Sequence, residues 1–201
     1  MTTNGYRGLK SVLRAAVLCA TLFSASEAGT VESAVSLCKK GDGRQCFLAG
    51  AIYFTGREVP KDLKLAYFYY ERACSLEVAE GCTELGNLYY GGMGVSQNDR
   101  EALRLYARAC ELSDGTGCRY LGDMHFLGQG VEHNLSSAEQ YYKKACSKGD
   151  RNGCRQIDLL SGKAAPVNDD EDQFVKKMKQ YRETKKSWDR SIEETELLDK
   201  L

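Results

Sequence analysis

Apolar and small residues return along this chain in two alternating patterns, each at the three- and four-residue spacing of a helix. The first, called A here, runs from about Gln45 to Phe54 and recurs over Gly81–Tyr90, Gly117–Leu127 and Gly153–Leu160. The second, B, covers Leu63–Cys74, Asp99–Cys110 and Leu135–Cys146, with Ala66, Ala102 and Ala138, then Ala73, Ala109 and Ala145, at matching places. A shorter B-type stretch, Val31–Lys40, has no A helix before it, as suits a capping helix. Start signals agree with this division. Asp42, Asp114 and Asp150 stand ahead of three A helices, and Asp62, Asn98 and Asn134 ahead of the B helices, where a side-chain oxygen can accept orphan backbone N–H groups. Asn98 and Glu101 have the spacing of a capping box. Each A helix ends in a glycine-rich turn such as Gly91–Val95, because glycine accepts the left-handed backbone of a helix stop.

The cysteines share this rhythm. Cys38, Cys74, Cys110 and Cys146 are 36 residues apart, and so are Cys46, Cys82, Cys118 and Cys154. Leu-Gly recurs at 85–86 and 121–122, with Gly56, Gly92 and Gly128 in register behind. A fixed period of this length marks stacked helical hairpins rather than one globular core. Glycine inside a helix costs about 1 kcal/mol relative to alanine. The recurrence of Gly50, Gly86 and Gly122 at one register position therefore points to close packing of A on B. Leu85, Leu88 and Tyr89, with Leu103 and Tyr106, are expected to fill the layer between hairpins.

Composition narrows the setting. Lysine plus arginine number 28 and so do aspartate plus glutamate, so no bulk charge draws the chain to nucleic acid or an acidic membrane. Two prolines and two histidines leave little for a proline-rich linker or a histidine metal cage. Nine cysteines suit an oxidising compartment. The N-terminus agrees: Arg7, Lys10 and Arg14 precede the apolar run 15–23, and Ser24–Ala28 offers a small-x-small cleavage site. Residues 1–28 are read as a signal peptide whose apolar run is too short to span a bilayer, leaving no stable membrane anchor after removal. Cys19 would leave with it, and its neighbour Leu18 argues against lipidation. The expected location is secreted or periplasmic.

The string Leu-Gly-x-Leu-Tyr-x-x-Gly-x-Gly-Val, then Ala-x-x-x-Tyr-x-x-Ala-Cys, resembles the Sel-one-like repeat, a relative of the tetratricopeptide repeat. The added Cys-x7-Cys resembles the Helicobacter cysteine-rich protein family, over about Val31 to Gly162. The resemblance implies an all-α, right-handed α-solenoid of helix-turn-helix repeats, secreted or periplasmic, with one disulfide per repeat. It also implies β-lactam binding or weak β-lactam hydrolysis. The fourth unit departs from the pattern, with Ile157-Asp158 in place of Leu-Gly and no matching B helix after it.

Within that frame Cys38/Cys46, Cys74/Cys82, Cys110/Cys118 and Cys146/Cys154 each join the end of a B helix to the start of the next A helix across a tight turn. The rival pairing of Cys46 with Cys74, and onward, leaves Cys38 and Cys154 without near partners. The short loops are therefore expected as the disulfides. Structural zinc favours cysteines two to four residues apart, and redox centres favour Cys-x-x-Cys, so neither metal nor cofactor is expected.

Three kinds of work are open to such a chain. As a scaffold it would hold a peptide or protein segment in a concave groove lined by A helices. The outward register positions are then Phe47/Thr83/Arg119, Ala51/Asn87/Asp123 and Phe54/Tyr90/Phe126. Phe54, Thr83, Asn87, Tyr90, Arg119, Asp123 and Phe126 are the groove candidates, against the plain reading that such aromatics pack as core. As an enzyme it would need a serine and lysine in Ser-x-x-Lys, which Ser36–Lys39 matches, but no Lys-Thr-Gly occurs. No catalytic residue is assigned. As an assembly protein it would act through its tail. After the solenoid at 29–162 and an acidic linker at 163–172, residues 173–201 place Phe174, Met178, Tyr181, Trp188 and Ile192 at helical spacing. That amphipathic helix could cap the array, lie in the groove or mediate oligomers.

Overall fold

The computed structural model describes residues 30–163, and all regular structure among them is helical. Helix α1 spans 30–39. It is followed by α2 (Gly43–Thr55), α3 (Leu63–Ser75), α4 (Ala79–Gly91), α5 (Asp99–Glu111), α6 (Gly115–Leu127), α7 (Leu135–Ser147) and α8 (Arg151–Leu160). The expected signal peptide, nearly all of the linker and the C-terminal helix lie outside the described residues.

Polar caps set these ends. Asp42, Asp114 and Asp150 accept from Gln45 N, from Thr116 and Gly117 N, and from Gly153 N, so three A helices begin one residue after an aspartate, earlier than the apolar pattern indicates. Asp62, Asn98 and Asn134 cap the B helices in the same way. The carboxylate of Glu101 turns to Arg104, three residues on. Gly56, Gly92 and Gly128 close α2, α4 and α6 in the left-handed conformation, as read from the sequence.

The chain divides into two compact units, one ending at Gln97 and one beginning at Asn98. In the first, α3 packs on both α2 and α4. Ala34, Cys38, Cys46, Ala49, Tyr69 and Ala73 form its buried cluster, with Val35, Phe47, Tyr53 and Val78 against it. In the second, α6 packs on α5 and α7, and α8 closes on α7. Phe126, Ala138, Tyr142 and Leu159 are buried together there. Each large apolar side chain so buried contributes about 1.5–3 kcal/mol.

Gly50 and Gly122 explain why glycine recurs within the A helices. A Cβ on Gly50 would lie 2.6 Å from the Tyr70 ring, and one on Gly122 would lie 2.7 Å from the Tyr142 ring. In α3 and α7 the tyrosine of the B helix thus fills a notch that only glycine leaves. On α8 the same register holds Asp158, which is exposed, so α8 offers no such notch to a further B helix.

Candidate functional site

Four disulfides fasten the B-to-A joints: Cys38–Cys46, Cys74–Cys82, Cys110–Cys118 and Cys146–Cys154, with Cα separations of 4.5–4.6 Å. Close approach of the two helices permits this. At two of the joints, a Cβ on Gly81 or Gly153 would stand 2.6 Å from the Cβ of Ala73 or Ala145. A side chain at either glycine would force apart the helix ends that the sulfurs tie together.

The first unit contains four of the groove candidates. The half-buried Phe54 ring lies 6.4 Å from the Tyr70 ring, with the Lys61 ammonium 5.1 Å over its face. Asn87 is half-buried on α4 and donates to Glu84 Oε2 at 3.1 Å. Tyr90, three residues on, is 37% exposed. Thr83 is only 4% exposed and belongs to the interior.

The second unit contains the other three. Arg119 Nη1 lies 3.0 Å from Asp123 Oδ2, and its Nε lies 3.4 Å from Asp150 Oδ2. The guanidinium rests over the Tyr120 ring, 4.2 Å from the centroid. Tyr142 Oη donates to the other oxygen of Asp123 at 2.9 Å. One arginine thus ties α6 to the capping aspartate of α8, while Asp123 holds the tyrosine of α7. Burial opposes the Arg119 charge, but Asp123, Tyr120 and Asp150 more than offset it and raise its pKa. Burial, and then the Asp123 charge, push the Tyr142 hydroxyl far above its ordinary range. Phe126 is 0% exposed, packed against Ala138, Tyr142 and Leu159.

Two of the seven groove candidates therefore do not line a surface. Thr83 and Phe126 are core residues, and the expected Phe54/Tyr90/Phe126 ladder loses its third member. Tyr142, Asp150 and Tyr120 were missing from the sequence reading of this site. The recurring tyrosine of the B helices, at 70, 106 and 142, was the available signal for the first. The other two depend on a charge partner that only folding supplies.

Ser36 and Lys39 are both exposed on α1, and Cys38 between them is buried in its disulfide. Of the histidines, His125 stacks on Tyr141 at 5.2 Å, with Nδ1 buried and unbonded. His133 Nδ1 donates to the Phe126 carbonyl at 2.6 Å. Among the described residues no three His, Cys, Asp or Glu side chains gather as metal ligands, and no helix is long and apolar enough to cross a membrane.

The Sel1 repeat model matches residues 45–78, 79–114 and 116–150. With its paired helices and capped repeats, this chain belongs to the Sel1 repeat family, whose members generally mediate protein–protein interaction. Among solved structures, it is similar to Helicobacter pylori cysteine rich protein B, at 27% identity and a TM-score of 0.55, covering 66% of this chain and 96% of that one. It is also similar to c5321, a protective antigen of uropathogenic Escherichia coli strains with an SLR fold, at 27% identity and a TM-score of 0.58, covering 62% of this chain and 27% of that one. A Sel1 repeat protein from Oxalobacter formigenes shares the fold at 24% identity and a TM-score of 0.63, covering 70% of this chain and 59% of that one. The chain thus spans about a quarter of the antigen and under two thirds of the Oxalobacter protein. No curated protein matches it.

Proposed function

We propose that the chain is an exported scaffold that holds an extended peptide or protein segment against its A helices. The observation that carries this reading is the pair Asn87 and Tyr90 on α4: an amide and an aromatic ring three residues apart, on one helix face and open to solvent in part. An amide side chain can pair with a peptide backbone, and an exposed tyrosine supplies a rigid amphipathic contact at low entropic cost. In the second unit, Asp123 of α6 holds the register of Asn87 and is salt-bridged to Arg119, which holds that of Thr83. The fold does not require an amide at the place of Asn87, because α2 carries Ala51 there.

Export is supported by the four disulfides, which persist in oxidising compartments, and by the likeness to a Helicobacter cysteine-rich protein and a bacterial antigen. That setting supports a secreted or periplasmic location, and in our reading the scaffold works at the cell envelope or toward a host. N-terminal sequencing of the exported form should give Gly29 as the first residue.

Photo-crosslinking tests the binding face. A crosslinking amino acid at position 90 should capture a discrete peptide or protein ligand in the producing cell, and one at Lys64 on α3 should not capture it. Asn87→Ala with Tyr90→Ala should then reduce binding of the purified ligand at least tenfold or so. Equal capture from both positions, or undiminished binding by the double variant, would remove α4 from the site. Undiminished binding after deletion of Phe174–Leu201 is expected as well, which separates this reading from one in which the tail binds.

A further inference from the structure

Two phenol hydroxyls meet in the first unit. Tyr67 Oη of α3 lies 3.0 Å from Tyr89 Oη of α4, and it also donates to Glu71 Oε1 at 3.3 Å, one turn along α3. A carboxylate only accepts, so Tyr67 gives its proton to the Glu71 bond and Tyr89 donates to Tyr67. The two rings are half-buried and stand edge-on, 5.8 Å between centroids. The repeat does not require this chain of three. One period earlier its places hold Val31, Val35 and Tyr53, and one period later Leu103, Ala107 and His125. The bond to Tyr89, then burial and the Glu71 charge, hold the Tyr67 hydroxyl above its ordinary range, so it stays a phenol. Other tyrosine pairs lack a carboxylate and have a cation instead. Tyr69, stacked on Tyr53, feels the Arg72 charge, and Tyr120, against Tyr106, lies beneath the Arg119 guanidinium. A nearby cation opposes loss of an electron from a ring, and a nearby carboxylate favours it.

We propose that Tyr67 and Tyr89 are a modification site, joined as a dityrosine when hydrogen peroxide acts through a peroxidase-type one-electron oxidant. Loss of an electron from Tyr67 releases its phenolic proton, which Glu71 takes along the bond already in place. Tyr89 then loses an electron to the oxidant and its phenolic proton to water. The unpaired electron of each phenoxyl radical is shared with the ring carbons that flank its oxygen. Contact between the two oxygens holds those carbons of the two rings near each other, and a carbon–carbon bond forms between them. Each bonded carbon gives up its hydrogen as a proton while its own oxygen regains one, which restores two phenols. The pair has then lost two electrons and two protons, and the peroxide that accepts them leaves as two waters. Cys74–Cys82 ties α3 to α4 where the turn joins them, whereas Tyr67 and Tyr89 lie toward the far ends of the two helices. The new bond closes the open end of that pair with a link that thiols cannot reverse.

The test uses the full disulfide-bonded chain, kept dilute and treated with a peroxidase and limiting hydrogen peroxide. Dityrosine fluorescence should rise while the chain stays a monomer under denaturing conditions. After reduction and alkylation, a peptide map should show the Tyr67 and Tyr89 peptides joined and lighter by two hydrogens. Tyr67→Phe and Tyr89→Phe each keep the ring and remove the hydroxyl, so either variant should keep its helical circular dichroism and lose the product. Tyr69→Phe and Tyr90→Phe, at the neighbouring tyrosines, should leave the yield unchanged. Glu71→Gln should slow the reaction severalfold by removing the proton acceptor. Peroxide consumed without dityrosine would overturn the proposal, and so would dityrosine found only between chains. A yield that Tyr67→Phe leaves unchanged would overturn it as well, by placing the bond at another pair.

Discussion

At each turn from a B helix to the next A helix, one residue takes the left-handed backbone: Gly41 (φ 96°), Glu77 (φ 62°), Ser113 (φ 76°) and Gly149 (φ 87°). The period thus contains its own control, since two copies use glycine and two do not. A side chain in this region costs about 1–2 kcal/mol, and glycine returns about half of that by loosening the unfolded chain. Glu77→Gly should therefore stabilise the protein by about 0.5–1 kcal/mol. Ser113→Gly should gain less, because it forfeits the bond from Lys148 Nζ to Ser113 Oγ at 2.9 Å. Gly149→Ala should lose about 1 kcal/mol although nothing lies within 4 Å of the new Cβ, so the loss would report backbone alone. Urea unfolding midpoints decide all three. His125 gives the residue-scale pH prediction. Burial lowers its pKa below the ordinary 6.5, so the unfolded chain binds this proton more readily than the folded one. Its contribution is complete above about pH 6.5 and is lost as pH falls from there toward the folded-state pKa. His125→Phe keeps the stack on Tyr141 and should flatten the stability profile between pH 7 and 5. An unchanged slope would show that other groups set the acid sensitivity.

Helix pairs depend on notches more than on bulk. Gly122→Ala drives a methyl group into the Tyr142 ring, and that ring cannot retreat, because it is buried and its hydroxyl is bonded to Asp123. The expected cost is about 2–3 kcal/mol, the upper range for overpacking, with a matching drop in thermal midpoint. Tyr142→Phe with Gly122→Ala should be no better, since the ring and not the hydroxyl fills the notch. Why such contacts were partly legible follows from their origin. Caps, glycine stops and the 36-residue register are local in sequence, so the helices could be read to within two residues at their starts. The glycine notch was legible as a repeated oddity, though not its tyrosine occupant. Groove lining was less accessible. Phe54 and Phe126 hold one register position, yet the first is half-buried beside Lys61 and the second is sealed by α7 and Leu159 of α8. Register fixes the direction of a side chain, but not how many later elements close over it. The Arg119–Asp150 pair was hidden for the same reason, because its members lie in helices that only packing brings together.

Across the whole molecule, the disulfides decide where this protein can persist. Each closes a loop of eight residues and contributes about 2.5 kcal/mol on the chain-entropy model, so four together contribute about 10 kcal/mol. That equals most of the roughly 5–15 kcal/mol by which folded domains exceed their unfolded states. Full reduction should therefore lower the thermal midpoint by roughly 20 °C or more at this chain length. The bonds should not yield together. Both cysteines of Cys146–Cys154 are partly open to solvent, and one of Cys74–Cys82 is, whereas the members of Cys38–Cys46 and Cys110–Cys118 are at most 1% exposed. An attacking thiolate must reach a sulfur, so reduction should begin at Cys146–Cys154, continue at Cys74–Cys82 and end at the two sealed joints. Loss of the first bond frees the start of α8, and with it Asp150 and Leu159, which lie against Arg119 and Phe126. Timed alkylation and peptide mass mapping under limiting reductant would give the order directly. If instead all four pairs opened in one step at one rate, global unfolding would control access, and sulfur exposure would have no bearing on how the array comes apart.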